Sequence, residues 1–337
     1  MWLIPAALVA VAAHLIATRH LPPGRRPLGW QGRAGAMAGR TLSVVTWNLG
    51  FGGLGAGASM VTDGGDRLRP LDRETIGRAA VDIAETLAGL DVDVVLLQED
   101  AKAGFLNRGV DLKGRVRAAL PAHTHVFWPD FRTWGMPLPL GFRHGLSLLS
   151  RASPAGKAEV FWPPQDEVRF FGVYKKYYGG LLARLPMTGG GTWVVMSIHL
   201  SAFDERAEAR HRQVAALIEL AQAEYRRGRH VVIGGDWNMV LASMPRATAG
   251  EHAAESASPF PAGLLPEGWK IVADKAAPTS RAMSAGYVPG QTPTRIIDGF
   301  LISPNVELQE VATVDQGFAR SDHNPVRARF LAGTQAD

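Results

Sequence analysis

One α/β domain over residues 41–331 is what this sequence predicts, on three observations. Short apolar runs alternate with stretches of helical spacing from Thr41 onward. No break in composition divides that span. Polar residues collect in islands, and each island ends a β-branched or aliphatic run: Trp47-Asn48, Gln98-Glu99-Asp100, Ile198-His199-Leu200, Gly234-Gly235-Asp236-Trp237-Asn238 and Ser321-Asp322-His323-Asn324-Pro325.

The elements follow in order. Leu42–Trp47 reads as a strand, and residues 50–65 as a glycine-dense loop. Asp72–Leu90 has Ile76, Ala80, Ile83 and Leu87 at helical spacing, with Asp72 placed to cap it. Val92–Leu97 is a buried strand that delivers Glu99. Val110–Leu120 is a helix stopped by Pro121. His125–Trp128 and Leu146–Leu149 are strands around a proline-rich loop, and Leu181–Leu185 and Trp193–His199 are neighbouring strands. Asp204–Arg227 is a long helix, followed by the buried strand Val231–Ile233. Residues 242–290 are mostly loop. Arg295–Ile302 and Val326–Phe330 close the sheet system, and 332–337 is a tail.

Composition narrows the chemistry. The 337 residues are 46% hydrophobic and 20% charged, which describes a globular chain with a sizeable core. The net charge is +5, and only 7 of the 36 basic residues are Lys. An arginine excess suits an anionic substrate, although an Ala-, Gly- and Arg-rich chain is also what a GC-rich coding sequence gives. There is no cysteine, which excludes a disulfide, a thiolate metal site and a thiol nucleophile.

Residues 1–17 are expected to form an apolar helix and a membrane anchor. Trp2–Ala17 would rise about 24 Å, short of a hydrocarbon core of roughly 30 Å, with Arg19 able to snorkel. No Lys or Arg precedes it, whereas Arg19, Arg25, Arg26, Arg33 and Arg40 follow, so the side of the membrane stays open. Ala34-Gly35-Ala36 offers a cleavage site, but far from the apolar run. The alternative is a helix packed on the domain. Residues 18–40, rich in Pro, Gly and Arg, read as a linker.

The polar islands ask for a hard metal and a base. Glu99 and Asp322 are oxygen ligands suited to Mg2+ or Mn2+. His323 is a base beside them, and Asp298, after Ile296-Ile297, is the carboxylate that would orient it. Asp236 and Asn238 alternate around Trp237 and would face one side of an extended segment, one aligning water and the other meeting phosphate. Trp47 and Trp237 read as packing.

In this order, Thr46-Trp47-Asn48, Leu97-Gln98-Glu99, Gly145–Arg151, Ser197–Leu200, Gly235–Asn238, Arg295–Asp298 and Ser321–His323 resemble the endonuclease/exonuclease/phosphatase superfamily of metal-dependent phosphoesterases. The resemblance implies a deoxyribonuclease-like four-layer sandwich: two mixed β-sheets flanked by helices, with the site at one sheet edge. It implies that Asn48 and Glu99 hold the metal, with Asp322 nearby or on a second metal. His199 would contact the scissile phosphate or assist the leaving oxygen. Asp236 and Asn238 would position water and phosphate, and His323, oriented by Asp298, would be the base.

His144 stands where nucleases of the family often carry Tyr, which argues against an abasic-site nuclease. Asp63–Arg67 and Tyr174–Tyr178 suggest a bacterial, membrane-anchored branch resembling sugar-phosphate phosphatases and sphingomyelinase-like enzymes. The expected partner is a phosphate ester: nucleic acid, lipid headgroup or small phosphate. No protein partner is implied. Arg132, Trp134, Arg143 and Lys175-Lys176 would serve a nuclease. Phe161-Trp162, Phe170-Phe171 and Tyr177-Tyr178, if exposed, would serve a lipid enzyme. A catalytically silent, membrane-tethered binding protein is the alternative, and the intact Glu, His and Asp set speaks against it.

Overall fold

The computed structural model of the chain describes residues 3–18, 25–33, 35–69, 71–133, 135–136, 140–164, 168–170, 174–202, 204, 206–243 and 258–333. In chain order the elements are α1 (Leu3–Thr18), β1 (Arg26–Leu28), β2 (Thr41–Asn48), α2 (Arg73–Gly89), β3 (Val94–Ala101), α3 (Leu112–Ala119), β4 (Thr124–Thr133), β5 (Arg143–Ser150), β6 (Ala158–Phe161), β7 (Val168–Phe170), β8 (Tyr174–Lys176), β9 (Gly179–Pro186) and β10 (Thr192–His199). They continue with α4 (Glu208–Tyr225), β11 (His230–Asp236), β12 (Lys270–Val272), β13 (Ser280–Arg281), β14 (Thr294–Arg295), β15 (Asp298–Ile302), β16 (Val306–Thr313) and β17 (Val326–Ala332).

Two mixed sheets face each other. One runs β1-β6-β9-β10-β11-β15-β12 and the other β16-β17-β2-β3-β5-β4-β8-β7. Each contains one parallel pair, β10 with β11 and β2 with β3. The central core lies between them, with Leu42, Val44, Leu96, Trp128, Leu181, Val195, Phe300 and Phe330 interdigitating. Helices α2 and α3 cover the outer face of the eight-stranded sheet through Ile76, Ile83, Leu87 and Val116 against Val45, Trp47 and Leu97. Helix α4 covers the seven-stranded sheet through Val214, Leu217 and Ala221 against Val194, Val231 and Ile233. The result is the four-layer sandwich. The Asp72 side chain accepts a hydrogen bond from the Thr75 backbone N–H and caps α2, as its sequence position predicts.

The N-terminal region departs from expectation. No helix among the described residues is long and apolar enough to cross a membrane, and α1 spans sixteen residues. Trp2 and Arg19, which would lengthen it, lie outside the described residues. The described side chains of α1 are exposed apart from a half-buried His14, so α1 is not a core helix either. The segment expected as a linker is partly built into the domain. Strand β1 pairs with β6, Gln31 bridges His125, the Ala38 N–H donates to the Pro186 carbonyl, and Trp193 Nε1 donates to the Gly39 carbonyl. Three-residue β1 and the mostly exposed β16 escape a pattern search because neither carries an apolar run.

Candidate active site

The two parallel pairs deliver the site. The β2–β3 pairing ends at Asn48 and Gln98, next to Glu99, and β10 and β11 end together at His199 and Asp236. Antiparallel β15 starts opposite, with Asp298 in register with Asp236. Four polar strand ends therefore converge at one edge of the sandwich. A cross-sheet hydrogen bond from Asn48 Nδ2 to Asp236 Oδ2 (3.0 Å) ties the two pairs, with Gln98 Nε2 donating to Ser197 Oγ (3.3 Å) beneath. Two local devices aim the side chains. A bulge in β3 between Leu97 and Asp100 places Glu99 at φ +53°, a left-handed conformation costly for a non-glycine residue. Gly235 lets β10 approach: a Cβ there would sit 2.1 Å from the Ile198 carbonyl oxygen.

His323 and Asp298 form a buried dyad, with Nδ1 and Oδ2 2.8 Å apart. His323 Nε2 faces into the site, 3.7 Å from Asp236 Oδ2 and 4.0 Å from Asp322 Oδ2. Burial alone would lower the His323 pKa, but Asp298, Asp236 and Asp322 override it and push it up to about 10. His199 lies on the other side of Asp236, its Nε2 3.6 Å from Oδ2. Burial, reinforced by the Lys176 charge, holds His199 well below its usual value. The two imidazoles that flank Asp236 are thus pushed in opposite directions, His323 up and His199 down, which is how one site separates proton-donating from proton-accepting roles. Asp236 itself is pushed up to about 6 by burial. Asn238 sits at φ +49°; its N–H donates to Asp236 Oδ1 (2.9 Å) and its Nδ2 to the Leu200 carbonyl (2.8 Å).

Of the neighbours of these groups, Asp130 has no place in the sequence reading, and Lys176, His144 and Tyr178 stand there in other roles. Lys176 on β8 is buried, and its Nζ lies 3.0 Å from Glu99 Oε1 and 4.8 Å from the centre of the Tyr178 ring. Burial would raise the Glu99 carboxyl, yet the ammonium holds it well below the usual carboxylate range; Glu99 in turn raises Lys176. Asp130 lies between two imidazoles, His144 Nδ1 at 3.4 Å and His199 Nδ1 at 3.8 Å, and burial pushes its carboxyl up to about 7. His144 stacks on Phe131 with ring centres 4.8 Å apart. Asp130 was findable, because it continues the inward register of Val126 and Trp128 along β4. Lys176 was not, since a Lys-Lys pair ordinarily reads as a solvated surface.

The donors fit a hard divalent cation. Glu99 and Asp322 share one pocket, and Asp322 is pushed up to about 6 by burial and further by the Glu99 charge, a repulsion that a cation would relieve. The tightest cluster of potential ligands among the described residues is a different one, Asp236, Asp298 and His323. There Asp298 Oδ2 is engaged by His323 Nδ1, while its Oδ1 is buried without a partner. Asn48 serves as a brace: its Nδ2 is committed to Asp236 and its Oδ1 accepts the Gly50 N–H at 3.0 Å, leaving one lone pair for a metal.

A pocket of about 700 Å3 opens over these groups. Asn48, Glu99, His199, Asp236, Asn238, Asp322 and His323 line it, and Asp298 stands behind His323. The structure thus gathers all eight sequence-derived candidates. The surface residues considered for substrate fare differently. Phe161, Tyr177 and Tyr178 are buried, and Trp162 packs between Trp128 and Tyr177, so they form no exposed aromatic patch. Lys176 is consumed by Glu99. Trp134, Phe171 and the side chain of Phe170 lie outside the described residues.

Comparison with known proteins agrees with this fold. No curated protein matches the chain. Among solved structures, an endonuclease/exonuclease/phosphatase from Beutenbergia cavernae DSM 12333 is 21% identical with TM-score 0.60, covering 87% of this chain and 72% of that one. A humanized TDP2 from D. rerio is 17% identical with TM-score 0.52, covering 86% and 99%. ANGEL2, a 2',3'-cyclic phosphatase in complex with adenosine-2',3'-vanadate, is 12% identical with TM-score 0.52, covering 93% and 100%. At these identities the likeness concerns the fold. The model of the Endonuclease/Exonuclease/phosphatase family matches residues 45–323, from the second half of β2 to the His323 of the dyad, and the chain belongs to that family.

Proposed function

We propose that the protein hydrolyses a phosphate ester with the help of Mg2+ or Mn2+ held by Glu99 and Asp322, with Asn48 alongside. Members of the family are phosphoesterase hydrolases. The observation that carries the reading is the Asp236 carboxylate between a neutral His199 and the His323–Asp298 dyad, next to two carboxylates that repel each other. When bound, the cation neutralises phosphate oxygens and offsets the carboxylates that hold the proton on His323. Asp236 and Asn238 position the attacking water and the phosphate. His323 Nε2 accepts the water's proton, and Asp298 keeps the ring in the tautomer with its proton on Nδ1. His199, neutral and braced by Asp130, donates a hydrogen bond to a phosphate or leaving-group oxygen. Burial of Asp130, His199, Asp236, Asp298 and His323 strengthens their interactions.

The N-terminal helix is proposed to associate with a lipid bilayer through its apolar side chains. Its exposed Leu8, Val9, Val11 and Ile16 support that reading. The test of the activity is release of nitrophenol from mono- and bis-nitrophenyl phosphate with Mg2+, with Mn2+ and with chelator. Metal-dependent release that collapses in His323→Ala is expected. Absence of metal-dependent release from both esters would sink the proposal.

A further inference from the structure

Resting on the phosphoesterase reading, the geometry points to a substrate whose phosphate ester carries a long apolar chain. One side of the pocket is polar and holds the groups described above. The other is an apolar wall made by Phe51, Leu54, Met60, Leu68, Phe105 and Met283. Apart from exposed Leu68, these residues belong to one hydrophobic cluster, separate from both the inter-sheet core and the two helix-covered cores.

The wall is a built structure. Buried Arg281 donates to the carbonyls of Leu54 (3.1 Å), Gly55 (2.8 Å) and Ala58 (3.2 Å), and to those of Ala282 (3.0 Å) and Ala285 (3.1 Å). The Met60 N–H donates to the Met283 carbonyl (3.0 Å). Arg281 thereby fixes the glycine-dense loop and the segment carrying Met283, and the apolar side chains face the catalytic groups without having to be ordered on binding. Apolar surface continues to the rim, where Leu68 is 60% and Val61 45% exposed.

Charge decides against a polynucleotide. A strand would need cations for its successive phosphates. Of the lysines and arginines lining the pocket, Lys176 is paired with Glu99, Arg210 is held by the Ser201, Ala202 and Asp204 carbonyls, Arg281 is spent on the wall, and Arg295 answers the charges of Asp236 and Asp63. Asp63 and Asp204 add negative charge to the lining. One phosphate with an apolar tail fits, whereas a chain of phosphates does not.

The experiment is a series of nitrophenyl phosphodiesters with n-alkyl groups from methyl to octyl, assayed with Mg2+ below their aggregation limits. Each methylene buried on the wall is worth about 0.8 kcal/mol, or about fourfold, so kcat/KM for octyl should exceed methyl by at least about a hundredfold. Met60→Ser and Met283→Ser should shrink that ratio. Leu68→Ser, at an exposed position that folding does not need, should shrink it less. A second arm presents a long-chain phosphodiester either in neutral phospholipid vesicles or as dispersed monomer. Faster turnover in vesicles assigns the substrate to a membrane, and faster turnover of monomer to a soluble amphiphile. An octyl-to-methyl ratio within about threefold, or single-stranded oligonucleotide turned over faster than every alkyl ester, overturns the inference. Inertness of the methyl ester and of every other ester would instead refute the phosphoesterase reading itself.

Discussion

Replacing Asp298 by Asn tests the dyad with little change in shape. The carboxylate oxygen lies 2.8 Å from His323 Nδ1, and both groups are buried. At an effective dielectric near 20, a unit charge at that distance attracts the imidazolium by about 6 kcal/mol. The Asn carbonyl dipole and the persisting Asp236 and Asp322 charges, at 3.7 and 4.0 Å, retain part of this. A net fall of about two pKa units is therefore expected, from about 10 toward about 8. The assay is a 15N imidazole titration of the metal-free protein, with His323→Ala supplying the assignment. The raised pKa also contributes stability that is complete below pH 6.5 and lost as pH rises through about 10. Melting temperature between those limits should depend less on pH in Asp298→Asn than in the parent. Turnover should fall by about 10²–10⁴, with the double mutant little worse than His323→Ala alone. A His323 pKa that stayed in place, or losses that multiplied independently, would refute the coupled dyad.

Other perturbations probe different parts of the site. Glu99→Gln should weaken Mg2+ binding at least about tenfold by calorimetry while the fold survives, since the amide keeps the shape and removes the charge. Lys176→Met should do the reverse and tighten binding by at least about tenfold, because the ammonium no longer competes for Glu99. With chelator present the same variant should lose about 3–5 kcal/mol in urea unfolding, the cost of leaving a buried carboxylate unpaired. Gly235→Ala forces a Cβ to 2.1 Å from the Ile198 carbonyl and should destabilise by about 1–3 kcal/mol or more in the same assay. Removing residues 1–24 should abolish vesicle binding in flotation and leave hydrolysis of a soluble ester intact; removing residues 1–40 should also lower the melting temperature, because β1 and the Gly39 carbonyl leave with it.

The sheet system was legible wherever a strand is buried on both faces. Val94–Leu97, Val194–Met196 and Val231–Ile233 are continuous apolar runs, and the polar residues after them announced Glu99, His199 and Asp236. Helix α2 was legible because Asp72 caps it and its apolar face has a clean period. Hidden features depend on contacts between distant segments. Nothing local says that the chain bulges at Glu99, or that Lys176 turns inward to meet it across 77 positions. The same applies to Asn48, whose role as a brace follows from Asp236 on the opposite sheet. Residues 18–40 read as a linker because Pro, Gly and Arg are frequent there, and backbone groups between Arg26 and Ala38 find partners on β6, β9 and the Thr124–His125 segment.

The site straddles a seam. Asn48 and Glu99 ride on one sheet, and His199, Asp236 and Asp298 on the other. Spacings within each group are locked by strand register, whereas spacings between the groups are set by how the two sheets slide on their shared core. Gly234 sits at that sliding plane, where a Cβ would strike both Phe300 (2.7 Å) and Leu96 (2.8 Å). The spacing of Asn48 and Glu99 from His199, Asp236 and Asp298 is thus a readout of packing deep in the sandwich. Substitutions at Leu96, Gly234 or Phe300, none of which touches substrate, should detune the reaction by shearing its two halves apart, and the Asn48–Asp236 hydrogen bond is the gauge that would register the displacement.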